Sequence, residues 1–114
     1  MYKQSNNKRK KVHNNIMDSF TINNQTFNII LTNHATQRFH QRGLDKFQII
    51  GSILALGEKT ILHYQNSNKD LMVIDKINNF SIVASINGND IVIITLIDKS
   101  DIFIKEGTTA INLY

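Results

Sequence analysis

The chain has 114 residues and a formal net charge of +4, with 41% hydrophobic residues, no cysteine and no proline. This length fits one domain with its own core, and no apolar run approaches the roughly 20 residues of a membrane span. The absence of cysteine excludes disulfides and thiolate metal sites and favours a reducing compartment. We therefore expect a cytoplasmic protein without a membrane segment.

The positive charge is concentrated at the N-terminus. Residues 14–114 contain eight basic and nine acidic residues and have a net charge of −1. We predict that residues 1–15 form a disordered basic tail and that residues 16–114 form a single α+β domain. The tail is either a solubilising segment or a nucleic-acid contact. Its basic residues are Lys3, Lys8, Arg9, Lys10 and Lys11.

Polar turns between apolar runs predict four antiparallel strand pairs. The predicted pairs are Ser19–Ile22 with Gln25–Leu31, Thr60–Gln65 with Leu71–Lys76, Leu71–Lys76 with Phe80–Ile86 through a turn at Asn78-Asn79, and Phe80–Ile86 with Ile91–Ile97. The last of these strands is apolar on both faces, so we expect it in the centre of the sheet. Short edge strands are expected at Ile102–Ile104 and Ala110–Tyr114.

Two helices are predicted between the first strand pair and the second. The first helix would begin at an Asn33 N-cap and end at Gly43, and the second would run from an Asp45 N-cap to Gly57. Gly51 is expected to mark a close approach to a neighbouring element. The buried side of the second helix is expected to comprise Phe47, Ile50, Ile53, Leu54 and Leu56. The expected fold is α+β, with an N-terminal hairpin and two helices packed on one face of an antiparallel meander sheet of four or more strands.

Polar chemistry is concentrated on the first predicted helix. His34, Arg38 and Arg42 recur every four residues, so they lie along one helical face. Arginine has a planar, permanently charged fork that suits phosphate, and histidine titrates near neutral pH. Ala35 and Phe39 form a second stripe, which we expect to face the core.

The pattern His34-Ala35-x-x-Arg38-x-x-x-Arg42-Gly43, followed by a capped helix and a late hairpin, resembles a known family. It is a domain-of-unknown-function family of small bacterial and phage proteins that open with H-A-x-x-R-x-x-x-R-G. That family is placed near the RelE/ParE-like toxins, whose superfamily includes metal-independent ribonucleases with helices on an antiparallel sheet. The resemblance covers about residues 28–97 and implies a RelE-like fold and, for a toxin, an antitoxin partner. The positions that it singles out are His34, Arg38, Arg42, Gly43 and Thr95.

RNA cleavage without a metal needs a base for the 2′-hydroxyl, an acid for the leaving oxygen and positive charge at the phosphate. The candidate catalytic residues are therefore His34, Arg38, Arg42, His63 and Thr95, with Tyr64 as an alternative to His63. The candidate RNA contacts are Arg38, Arg42, Gln41, Lys8, Arg9, Lys10 and Lys11. No two histidines have a spacing that predicts a metal site on a helix, and no cofactor is expected.

Structural roles compete with each of these assignments. His34 could bond to a strand, Thr95 could be a core hydroxyl, and the arginines could be solvated or could pair with Asp90 and Asp98. The first hypothesis is a RelE-like RNA-binding protein, a toxin-type endoribonuclease without a metal. The second is a non-catalytic phage or mobile-element module that binds and inhibits a host protein. The third is DNA binding through the basic tail.

Overall fold

The computed structural model describes residues 16–114, which form six strands and three helices. The elements in chain order are β1 (Ile16–Ile22), β2 (Gln25–Leu31), α1 (Asn33–Gln41), α2 (Lys46–Ala55), α3 (Glu58–His63), β3 (Asp70–Asp75), β4 (Phe80–Asn87), β5 (Asp90–Ile97) and β6 (Thr109–Asn112). The strands form one sheet in the order β1-β2-β5-β4-β3-β6. The predicted tail, with its candidate RNA contacts at Lys8, Arg9, Lys10 and Lys11, lies outside the described residues.

The sheet is mixed, and this corrects the predicted antiparallel meander and RelE-like fold. β2 pairs in parallel with β5, and β3 pairs in parallel with β6, whereas the other three pairings are antiparallel. A mixed sheet with three short helices over residues 16–114 differs from the predicted two helices on an antiparallel meander of four or more strands. The prediction failed because turn residues indicate only pairings between strands that are close in sequence. Parallel partners are joined by long connections and leave no such local signature.

Three predicted hairpins are confirmed: β1 with β2, β3 with β4 through the turn at Asn78-Asn79, and β4 with β5. Asn23 and Asn24 have φ angles of 50° and 65°, the left-handed conformation that asparagine tolerates in a two-residue turn. In the β4–β5 hairpin Gly88 has a φ of 60°, and the loop residues are Gly88 and Asn89 because Asn87 already pairs with Asp90. β5 lies between β2 and β4, as expected for the most apolar strand.

The predicted strand Thr60–Gln65 is wrong, because this segment begins in α3 and ends in a turn. Gly57 has a φ of 87°, which redirects the chain directly after α2 and lets a second, short helix begin at Glu58. Ile61 is the buried residue of this helix. A single buried apolar residue is compatible with a strand and with a short helix, so the hydrophobic periodicity of this segment could not distinguish the two. At the C-terminus, β6 covers Thr109–Asn112, while Ile102–Ile104 is irregular.

One hydrophobic core contains residues from all three helices and from one face of the sheet. α2 contributes Ile49, Ile50 and Ile53 to it. Phe47 and Leu54, which were expected to be buried, are 76% and 48% exposed. The apolar residues of α2 are spread around the helix and the polar Ser52 is buried, so the helical period could not identify the inner face. The expected close approach at Gly51 is also wrong, since no atom of a neighbouring element within residues 16–114 lies within 4 Å of a Cβ built there.

A buried polar pair joins α2 to β3. The Ser52 hydroxyl donates to the Asp75 carboxylate at 2.8 Å, and both residues are almost fully buried. The amide and the side chain of Asn78 also donate to Asp75, each at 2.9 Å. Burial alone would raise the pKa of Asp75, but these hydrogen bonds outweigh it and hold the pKa below its ordinary value of 3.8. The pair therefore stabilises the fold while Asp75 is ionised.

Candidate nucleic-acid interface

Thr32 fixes the start of α1 on the end of β5. The N-cap is Thr32, one residue before the predicted Asn33, and its hydroxyl accepts from the Ala35 amide at 3.0 Å. The same hydroxyl donates to the Ile94 carbonyl oxygen at 2.9 Å, and the Thr32 amide donates to the Ile93 carbonyl oxygen at 3.1 Å. Threonine and asparagine are both good N-caps, so the sequence could not choose between neighbouring positions. One side chain thus caps the helix and attaches it to the sheet.

The end of α1 is a Schellman motif at the position predicted for the helix end. Gly43 has a φ of 58°, and its amide donates to the His40 carbonyl oxygen at 3.4 Å. The Leu44 amide donates to the Phe39 carbonyl oxygen at 3.3 Å, which completes the motif. Phe39 and Leu44 both pack against the core. The helix is therefore held at both ends and presents a defined outer face.

The outer face of α1, formed by His34, Arg38 and Gln41, is named here the α1 cationic face. His34 and Gln41 are exposed, and Arg38 is half-buried. The Arg38 guanidinium makes one long hydrogen bond, 3.5 Å to Oε1 of Gln41. No carboxylate within residues 16–114 forms an ion pair with Arg38. Ala35 is fully buried on the opposite side, as the stripe in the sequence predicts.

Arg42 is held by an ion pair with Asp98, which follows β5. The Arg42 side chain is 26% exposed, and its Nη1 bonds to Oδ1 of Asp98. The structural alternative in which Arg42 pairs with Asp98 is therefore confirmed, whereas Asp90 accepts from Asn28 at 3.3 Å. The Nε atom of Arg42 is buried and has no hydrogen-bond partner within the described part of the chain. The charge of Arg42 is thus compensated, unlike that of Arg38.

Of the other candidate residues, neither Thr95 nor His63 joins the face of α1. Thr95 follows Ile94, the acceptor of the Thr32 hydroxyl, and pairs with Val83 on β4. The neighbours of Val83, Ile82 and Ala84, face the core beneath the helices, so the Thr95 side chain lies on the opposite face of the sheet. His63 ends α3, two residues before Gln65, which bonds to Gln25 at the start of β2 and to Gly88 before β5. β5 has eight residues, or about 26 Å at ~3.3 Å per residue, and lies between these two regions.

His63 lies instead in a separate groove of about 410 Å³ with Tyr64 and Lys59. The His63 and Tyr64 rings meet edge to face, with centroids 4.6 Å apart. The structure therefore brings His34, Arg38 and Arg42 together on α1, places the Thr95 side chain on the opposite face of the sheet, and leaves His63 and Tyr64 at the other end of β5. The catalytic and RNA-binding roles of all these residues stay predictions.

Two further observations concern residues 16–114 as a whole. No group of three or more His, Cys, Asp or Glu side chains within this range is placed to hold a metal ion. No helix within it has the length and hydropathy needed to cross a membrane.

Two features of Thr32 were not predicted from the sequence: its role as the N-cap of α1 and its hydrogen bond to Ile94. The sequence did contain a signal for the N-cap, because threonine directly after an apolar strand is a common helix start. It contained no signal for the hydrogen bond to Ile94, since the two residues are 62 positions apart.

Comparisons with protein-family models, with curated proteins and with solved structures give no match to this chain. The resemblance to the H-A-x-x-R-x-x-x-R-G family therefore stays a prediction.

Proposed function

We propose that the chain binds RNA and that the α1 cationic face contacts the phosphate backbone. The observation that carries this proposal is the environment of Arg38. α1 contains no acidic residue, and Arg38 has no carboxylate partner within residues 16–114, although residues 14–114 have a net charge of −1. A guanidinium in this setting is available to a phosphate, which it can contact through two parallel N–H donors.

The geometry also holds Arg38 in a defined position. The Thr32 cap and the Gly43 motif hold α1 at both ends, so Arg38 is presented from a fixed helix rather than a loop. His34 lies one turn before Arg38 on the same side and adds a second polar group to the face. A single arginine can make few phosphate contacts, so the affinity for RNA should be low and should fall as the salt concentration rises.

The proposal is limited to binding. Cleavage without a metal needs two proton-transfer groups at the phosphate. His34 shares a side of α1 with Arg38, whereas His40, on the same helix, points to a different side. His63, the predicted second group, lies near the opposite end of β5. We therefore expect RNA to be bound and left intact in EDTA.

Fluorescence anisotropy with a labelled single-stranded RNA at low salt tests the proposal on the full chain. Arg38→Gln should weaken binding about tenfold, since one charged phosphate contact contributes about 1.5 kcal/mol. It should also reduce the slope of log affinity against log salt by about 0.7, the value for one contact with a single strand. Lys69→Gln removes the same charge from an exposed loop residue and is the matched control.

A second variant separates α1 from the N-terminal basic residues. Lys8, Arg9, Lys10 and Lys11 are replaced by glutamine, and the Arg38→Gln effect is measured again in that background. If the tail variant abolishes binding and Arg38→Gln has no effect in either background, the α1 proposal is wrong and binding belongs to the tail. If the unaltered chain binds no RNA, the alternative of a non-catalytic module that binds a host protein remains.

A further inference from the structure

The strand β6 has an open edge on the side that faces away from β3. Within residues 16–114, β6 is the last strand of the sheet and pairs with β3 alone. The Leu113 amide donates to the Ile74 carbonyl oxygen at 2.9 Å, so the backbone groups of Leu113 face β3. Backbone groups of successive strand residues point to opposite sides, so those of Ala110 and Asn112 point away from the sheet. Both residues are exposed, and such an edge can pair with a further strand.

A groove of about 410 Å³ lies beside β6, between this strand and α3. β6 contributes Ile111, whose side chain packs in part against the core and is therefore on the helix side of the sheet. α3 and its C-cap contribute Lys59, Thr60, His63 and Tyr64, which share one side of the helix. We name these five residues the α3–β6 groove. Directly opposite residues of paired strands project on the same face, so a strand added to β6 places side chains in this groove.

The charged chemistry of the α3–β6 groove is cationic. Lys59 and His63 are exposed, and none of the five lining residues is acidic. Glu58, the acidic residue of α3, lines a different groove beside Leu54. Within residues 16–114, neither Lys59 nor His63 forms an ion pair. A neutral imidazole still donates one N–H, so both side chains can bond to a carboxylate.

We propose that the α3–β6 groove binds an extended acidic segment of another protein, which adds a strand to the edge of β6. The backbone of the segment bonds to the outward amide and carbonyl groups of Ala110 and Asn112, and alternate side chains enter the groove. On that face an apolar side chain packs on Ile111, and a carboxylate two residues away bonds to Lys59 or His63. β6 covers only four residues, so we expect a dissociation constant in the micromolar range.

Fluorescence anisotropy of the full chain with a labelled peptide tests this proposal, which does not depend on RNA binding. The peptide is blocked at both ends and repeats threonine-glutamate-threonine-valine, so that glutamate and valine share one face of the extended chain. A second peptide has glutamine in place of glutamate and should bind about threefold more weakly, since an exposed ion pair is replaced by neutral contacts. A third peptide has lysine in place of glutamate.

Two variants of the chain test the backbone and the charge separately. Ala110→Pro removes one outward N–H and keeps the bonds between β6 and β3, so it should weaken binding of the glutamate peptide about tenfold. Ala110→Val keeps the N–H and is its matched control. Lys59→Glu should weaken binding of the glutamate peptide about fivefold and tighten binding of the lysine peptide. Lys46→Glu makes the same charge change at an exposed residue outside the groove and should alter neither affinity.

Circular dichroism of each variant verifies that it is folded, and if Ala110→Pro is not, the charge exchange between Lys59→Glu and the lysine peptide decides. Failure of the unaltered chain to bind the glutamate peptide would overturn the proposal. So would a folded Ala110→Pro variant with unchanged affinity, or a Lys59→Glu variant that treats the glutamate and lysine peptides as the unaltered chain does. Loss of RNA binding in Lys59→Glu without any peptide binding would assign the groove to RNA instead.

Discussion

Replacing Thr32 with valine removes one hydroxyl and keeps the branched shape of the side chain. That hydroxyl accepts from the Ala35 amide at 3.0 Å and donates to the Ile94 carbonyl oxygen at 2.9 Å. Loss of an N-cap costs about 1 kcal/mol, and loss of a half-buried hydrogen bond costs about another 1 kcal/mol. We therefore expect Thr32→Val to lower the free energy of unfolding by about 2 kcal/mol. The melting temperature should fall by roughly 8–16 °C, at 4–8 °C per kcal/mol for a domain of this size.

Urea denaturation followed by circular dichroism measures this difference in the free energy of unfolding. Amide hydrogen exchange shows which part of the chain loses protection. Exchange in Asn33–Gln41 should increase first, because the hydroxyl attaches the start of α1 to β5. Thr32→Ser retains the hydroxyl and is the control, with an expected change within about 0.5 kcal/mol. Our account of α1 is refuted if Thr32→Val is as stable as the unaltered chain, or if Thr32→Ser is destabilised as much as Thr32→Val.

Three further predictions follow from contacts described above. Gly51→Ala should raise the free energy of unfolding by about 0.5–1 kcal/mol in urea, since the added methyl group contacts no neighbouring element within residues 16–114 and alanine favours the helix. The pKa of Asp75 is lowered in the fold, so its contribution to stability is present above the unfolded pKa near 3.8 and is lost as the pH falls through the folded pKa. Denaturation between pH 5 and pH 2 should therefore show a flatter pH dependence in Asp75→Asn than in the unaltered chain, and equal slopes would contradict the assignment. Asp98→Asn should release Arg42 and tighten RNA binding severalfold in the anisotropy assay; unchanged or weaker binding would show that Arg42 is not available to RNA.

Features with short-range signals could be predicted from the sequence. The Asn23-Asn24 turn, the Asp45 cap and the helix end at Gly43 each depend on the backbone preference of one or two residues. The structure confirms all three. It also confirms the side of α1 that faces the core, because the helix has few apolar residues and Ala35 and Phe39 fall on one side. Local chemistry of this kind is independent of how distant strands pair.

Features that depend on tertiary context could not be predicted in the same way. The parallel pairings of β2 with β5 and of β3 with β6 join segments without a shared turn. The inner side of α2 depends on which face β3 and the core require, because its apolar residues are spread around the helix and one of its polar residues, Ser52, is buried. The prediction of the candidate site was incomplete for the same reason. The helical spacing placed Arg38 and Arg42 together, but it could not show that the Asp98 carboxylate, 56 positions away, compensates the charge of Arg42.

The parallel pairing of β2 with β5 has a consequence for the order in which the chain can fold during synthesis. Asn28 and Asp90 are partners across this pairing, so the first hairpin cannot join the sheet until the strand 62 residues later has left the ribosome. Until then the inner edge of β2 exposes a row of unpaired amide and carbonyl groups, and the start of α1 lacks its hydrogen bonds to β5. A nascent or truncated chain that ends before Asp90 is therefore prone to aggregation. Only when β5 is present can it pair with β2 and close that edge.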